Sequence, residues 1–158
     1  MSWCCCAWTS RDIDGYVFSH TLIREALYQT LDDDRQRALH LRAALRLIEL
    51  DADEGSSEIA GHLLAALPLG SADRAIDYAS RAGDEAKLLC GPERAAEFYG
   101  AALNVLDDAL PAEEDRRLDL LIGLVQVTRL NALSLEKAQG LARRLGRSGE
   151  FVRALRNP

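Results

Sequence analysis

An all-α protein built from antiparallel helical hairpins is the fold class this sequence predicts, on three observations. Ala and Leu abound while aromatic residues make up only 6%, which favours close helix packing through small side chains over a sheet-built core. Apolar residues recur at a 3.6-residue period in one stretch after another, each marking a single buried helix face. Short breakers separate these stretches: Asp32-Asp33-Asp34, Pro68-Leu69-Gly70, Gly91-Pro92 and Gly146. Helices joined by short turns of this kind pack back to back.

The totals agree with one globular domain, or one domain with a tail. At 158 residues the chain is long enough for a real core. A composition 48% hydrophobic and 28% charged excludes wholesale disorder. The net charge of -6 argues against general nucleic-acid binding. No apolar run reaches the roughly 18 residues that a membrane-spanning helix needs. Cys4, Cys5 and Cys6 are consecutive, poor geometry for bridging one another or for wrapping zinc. Cys90 falls on a helical pattern, where a buried thiol is the expectation. Met1 to Ser10 lacks the basic start and long apolar run of a secretory signal, so a reducing cytoplasm is the expected location.

Residues 1–15 carry no periodicity and read as an irregular arm, or as sequence read through from an unnatural gene start. Gly15 to Phe18 reads as a short strand. Within 16–50, Ser19 is placed to cap a helix whose apolar face is Leu22, Ile23, Ala26, Leu27 and Leu31. The three aspartates then suit the N-terminal dipole of a second helix carrying Ala38, Leu39, Leu41, Ala44, Leu45 and Ile48.

Residues 51–158 read as a helical array. After a loop at Asp51 to Gly55, Ser56 or Ser57 caps a helix that buries Ile59, Ala60, Leu63, Leu64 and Leu67. Ser71 caps the next, with Ala75, Ile76, Tyr78, Ala79, Ala82, Ala86 and Leu89 inward. Pro92 suits the first turn of a helix packed through Ala95, Ala96, Phe98, Tyr99, Ala102, Leu103 and Leu106. Pro111 to Leu130 follows, entered through Glu113, Glu114 and Asp115 and packed through Leu118, Leu121, Ile122, Leu124 and Val125. Asn131 to Leu133 is a turn, Ser134 a cap for a helix through Ala138, Leu141, Ala142 and Leu145, and Gly146 its stop. A final helix over Glu150 to Arg156 ends at Asn157-Pro158 after barely two turns, so the array reads as truncated, because such arrays close with a polar capping helix.

One helix pair fits a known repeat by spacing. The tetratricopeptide pattern sets a small residue at its eighth position, Ala at the twentieth, an aromatic at the twenty-fourth and Ala at the twenty-seventh, within about 34 residues. Gly83, Ala95, Tyr99 and Ala102 match. The small residues let two helices approach, and the aromatic fills the gap beside them. Ala79 stands where the pattern has Trp, Ala86 where it has Tyr and Asp107 where it has Pro. The predicted architecture is therefore a tetratricopeptide-like right-handed superhelix; a generic Ala-rich bundle is the plainer alternative.

Chemistry-bearing motifs are mostly missing. The chain has no phosphate-cradling Gly-rich loop, no His-x-x-x-His pair and no Gly-x-Ser-x-Gly elbow, so no catalytic residue, no metal ligand and no cofactor of its own is expected. His40 and His62 read as interface or half-buried packing residues. Arg24 and Glu25 read as a tie to a preceding domain or a surface pair. From Asn131 on, Lys137 and five arginines against Glu136 and Glu150 leave a net +4. With Phe151 its single aromatic, too few to stack successive bases, that reads as a solvated face, not a nucleic-acid surface.

The segment Phe18 to His40, FSHTLIREALYQTL followed by Arg37, Leu39 and His40, resembles the region just after the ATPase core of STAND-class signalling proteins. That class includes LuxR-family transcriptional regulators with an N-terminal AAA-type ATPase and tetratricopeptide-linked adenylate cyclases. The resemblance spans roughly Tyr16 to Leu155 and is sharpest at Phe18 to His40. It implies the end of a winged-helix region leading into a tetratricopeptide-like array. It also implies that His20 is a sensor of bound ATP or ADP in the parent protein, with Thr21 where that class's motif carries Asp. The expected function is a non-catalytic sensor and interaction segment, most consistent with a fragment of a LuxR-family regulator. Its partners would be an ATPase core in cis and a protein or small-molecule inducer on the array, with neither nucleic acid nor membrane bound directly. The alternatives are a free-standing adaptor and a fragment of a tetratricopeptide-linked cyclase.

Overall fold

The computed structural model describes residues 21–50, 55–89, 91–128 and 132–156. The expected arm and strand, the Ser19 cap, His20, the four cysteines, most of the 51–55 loop and the Asn157-Pro158 stop lie outside the described residues. Among the described residues the chain is all-helical, with eight helices and no strand. It divides into two compact units, Met1–Asp32 and Asp33–Pro158.

The first unit contributes α1 (Thr21–Gln29), whose apolar residues Leu22, Ala26 and Leu27 are exposed. The second holds α2 (Asp33–Glu49), α3 (Ser56–Ala65), α4 (Ala72–Leu88), α5 (Pro92–Ala109), α6 (Glu114–Thr128), α7 (Ala132–Arg144) and α8 (Ser148–Arg156). Each of these helices packs on its neighbour in sequence, and α6 also touches α4 and α8. The core is correspondingly layered. Ala44, Ile59, Leu63 and Ala75 join α2, α3 and α4. Ile76, Ala79, Phe98, Tyr99, Leu106 and Leu120 join α4, α5 and α6. Leu118, Ile122, Leu141 and Phe151 join α6, α7 and α8. Contacts limited to near neighbours are what a stacked-hairpin chain produces.

The punctuation has local causes. Ser71 Oγ accepts the Arg74 N–H at 3.4 Å and caps α4. Pro92 sits in the first turn of α5, where its missing N–H costs nothing. Gly146, at φ +71°, ends α7 in a left-handed turn. There the Arg147 N–H reaches the Ala142 carbonyl at 2.8 Å and the Gly146 N–H the Arg143 carbonyl at 3.3 Å.

Four expectations are corrected. Gly55, not a serine, is the N-cap of α3; Ser56 is already helical and buried, and its hydroxyl donates to Glu85 Oε1 at 2.7 Å instead. Ser134 lies inside α7 and is buried, because the helix begins at Ala132. Leu89 is exposed, as is Leu88 before it; Leu89 is the C-cap of α4 and does not belong to its buried face. Pro111 and Ala112 form a turn, so α6 starts at Glu114, where its acids face the helix dipole.

Candidate functional site

Tyr99 organises the most distinctive local geometry. It projects from α5 and passes between α4 and α6 where both carry glycine. A Cβ at Gly83 would lie 2.7 Å from Tyr99 Cε1, and one at Gly123 would lie 2.7 Å from Tyr99 Cζ. Only glycine lets both helices close on the ring. Ala95 and Ala102, one turn to either side of the tyrosine on α5, are fully buried and let α5 seat against its neighbours. The four residues that the repeat spacing singles out therefore share one packed layer.

Tyr99 is 2% exposed, and its hydroxyl donates to Asp84 Oδ1 at 2.7 Å. Burial, and then the hydrogen bond to the Asp84 carboxylate, push the phenol well above its ordinary pKa. At neutral pH Tyr99 is thus a fixed, uncharged donor.

Tyr99 and its partner Asp84 both line an open groove of about 270 Å³. Its walls are Ser80 and Asp84 of α4, Asp119, Ile122 and Gln126 of α6, and Glu150 and Ala154 of α8. Spacings of three and four residues put each set on one helix face. Gln126 is held at both ends: its Oε1 accepts from Lys87 Nζ at 2.8 Å and its Nε2 donates to the Ala154 carbonyl at 2.8 Å. Arg147 bridges Asp115, Asp119 and Glu150 at 2.8–3.1 Å. One repeat earlier, Arg116 bridges Asp73 at 2.8 Å and Asp77 at 2.6 Å. In both cases an arginine spans an i, i+4 acid pair on the preceding groove helix. The Arg147 guanidinium holds the Glu150 carboxyl below its ordinary pKa. Chemically, the groove offers carboxylate oxygens and a neutral phenol, a set suited to hydrogen-bond donors and cations.

A second polar contact joins α2 to α3. His40 Nδ1 and His62 Nδ1 stand 2.7 Å apart, with ring centroids at 5.0 Å. One nitrogen must donate and the other accept, so the contact needs at least one neutral ring. Burial lowers both pKa values, and for His40 the neighbouring His62 charge lowers it further. The sequence marks each histidine as interface or half-buried packing. The structure adds that they pack on each other.

His20, the residue expected to sense nucleotide, lies outside the described residues. Asp84, Gln126 and Gly123 are groove residues that the sequence did not single out. Gly123 had a signal: it follows Gly83 by forty residues on the next groove helix, a longer step than the template period. No family model, curated protein or solved structure matches the chain.

Proposed function

We propose that this chain is a non-catalytic, tetratricopeptide-like interaction segment that receives a partner on the α4–α6–α8 face. The groove lined by Tyr99 and Asp84 is the observation that carries this reading. It is concave, it is assembled from three successive alternate helices, and two glycines close its α4 and α6 walls on Tyr99. Stacked hairpins commonly use such a concave surface for recognition. The resemblance of Phe18 to His40 to STAND-class proteins supports placing the segment beside an ATPase core, in a LuxR-family regulator or, second, a tetratricopeptide-linked cyclase. A cytoplasmic setting goes with either. No helix among the described residues is long and apolar enough to cross a membrane.

Site-specific photocrosslinking in the native cell tests the reading. A photoreactive residue at Ser80, inside the groove, should give discrete adducts, while one at exposed Glu97 of α5 on the same array should not. Equal labelling from both positions, or from neither, would overturn the interaction role. The mass of the native product that is not crosslinked then separates two origins. A native product several times larger than 17.4 kDa supports a parent regulator, and one near that mass supports a free-standing adaptor.

A further inference from the structure

The groove's charge identifies the chemistry of what it takes. Asp84, Asp119 and Glu150 bring three carboxylates to its walls. Arg147 is shared by Asp119, Glu150 and Asp115 outside the rim, and the Arg153 charge of α8 also acts on Glu150. Lys87 is turned to Gln126. Asp84 has the Tyr99 hydroxyl on one oxygen and, among the described residues, no cation partner. The hydrogen bond orients that carboxylate without neutralising it, since a neutral phenol supplies the proton. Ile122, Ala154 and Tyr99 also line the groove and add apolar surface suited to the methylene stem of a long basic side chain.

Resting on the interaction role proposed above, we propose that the groove binds an arginine or lysine side chain presented by an extended segment of a protein partner. Asp84 is the principal acceptor, and Asp119 and Glu150 contribute the surrounding negative field. The volume suits this occupant. About 270 Å³ is at or below the low end of drug-sized pockets, room for one or two side chains while the rest of the segment lies along the open groove. A carboxylate fixed in orientation favours guanidinium, which bonds it through two parallel N–H donors.

The test uses the full chain and a fluorescently labelled, otherwise alanine-rich peptide with two central arginines. Controls are the same peptide with citrulline, the uncharged isostere, and with glutamate at those positions. Fluorescence anisotropy at about 0.15 M salt, where surface charges are screened beyond roughly 8 Å, should give saturable binding of the arginine peptide only. Asp84→Asn retains an acceptor for Tyr99 and should weaken binding about tenfold, one charged contact's worth. The double variant Glu93→Gln/Glu97→Gln removes two exposed charges from α5, off the groove, and should change affinity less than about twofold. Equal binding of the citrulline peptide overturns the inference. So does no saturable binding of the arginine peptide, or an equal loss in the α5 double variant. Groove-dependent binding of the glutamate or citrulline peptide alone would leave the interaction role standing while this ligand assignment falls. Melting of Asp84→Asn, followed by circular dichroism, checks that the variant is folded, and the citrulline arm needs no protein variant at all.

Discussion

Tyr99 and Gly123 are in contact so close that a single methyl group does not fit between them: a Cβ on Gly123 would sit 2.7 Å from Cζ and 2.8 Å from Cε1 of the ring. The clash is with the rigid ring itself, which Gly83 confines from the other helix and Asp84 anchors at its tip. The groove is therefore built on a three-helix joint, in which one aromatic side chain sets the distance between two walls.

Helical glycines elsewhere in the chain provide the contrast. Gly100 of α5 has nothing within 4 Å of a built Cβ, so Gly100→Ala should stabilise the protein by about 0.5–1 kcal/mol through reduced backbone entropy of the unfolded chain. Gly123→Ala should instead cost about 1–3 kcal/mol by overpacking. In a Tyr99→Leu background that cost should vanish, giving a coupling energy of about 1–3 kcal/mol in a double-mutant cycle. Urea denaturation of the four proteins reads it directly. A Gly123→Ala variant as stable as the wild type would mean that Tyr99 does not thread the seam.

Why the joint was only half legible follows from where its parts lie. Gly83, Ala95, Tyr99 and Ala102 fall within one helix pair at fixed spacing, so a linear pattern finds them. Gly123 belongs to the next pair, and the turn around Pro111 and Ala112 sets it off the template's period. Periodicity located the helices because burial imposes it. It assigned Ser56 and Ser134 as caps because Ser favours helix starts, and it missed that burial with a partner can outweigh that preference, as Ser56 shows with Glu85. Asp84 and Gln126 carry no signal in one dimension. They are ordinary polar helix residues until α4, α6 and α8 come together.

The histidine contact between α2 and α3 makes stability fall on mild acidification. Both rings have lowered pKa values in the fold, so between the ordinary value of 6.5 and the depressed folded values the unfolded chain binds more protons. Stability from the pair is complete above 6.5 and declines as pH falls through that window. Urea midpoints measured at about pH 7.5 and about pH 5.5 should differ in the wild type, and the difference should shrink in His40→Gln/His62→Gln. An unchanged pH dependence in the double variant would remove the pair as its cause.

Arg147 locks the first turn of α8 to α6. Its partners Asp115, Asp119 and Glu150 are largely exposed, while Arg147 itself is only 24% exposed, so the contribution is a screened network. Arg147→Met keeps the stem and removes the charge. It should speed amide exchange in Ser148–Arg156 several-fold while leaving α4 and α5 protected, and the difference should diminish at about 1 M salt. Because Arg147 holds the Glu150 carboxyl below its ordinary value of 4.5, the wild-type protection from this pair is complete above that value and is lost as pH falls through the depressed one. Exchange rising uniformly along the chain in Arg147→Met would show global destabilisation in place of a local lock.

Two serines that read alike in sequence should respond differently to alanine. Ser71 is exposed, and its cap bond to the Arg74 N–H is long, 3.4 Å, so Ser71→Ala belongs at the lower end of cap losses, about 0.5–1 kcal/mol. Ser56 is 2% exposed and donates at 2.7 Å to Glu85 on α4. Its removal leaves a part-buried carboxylate oxygen without its donor, which costs about 1.5–3 kcal/mol for a bond to a charged group. Chemical denaturation should therefore rank Ser56→Ala below Ser71→Ala. Glu85→Gln in the Ser56→Ala background should recover part of the loss, because a neutral amide oxygen is cheaper to leave without its partner. Equal losses for the two serines would mean that Ser56 acts as a simple helix-start residue and that the α3–α4 tie contributes nothing.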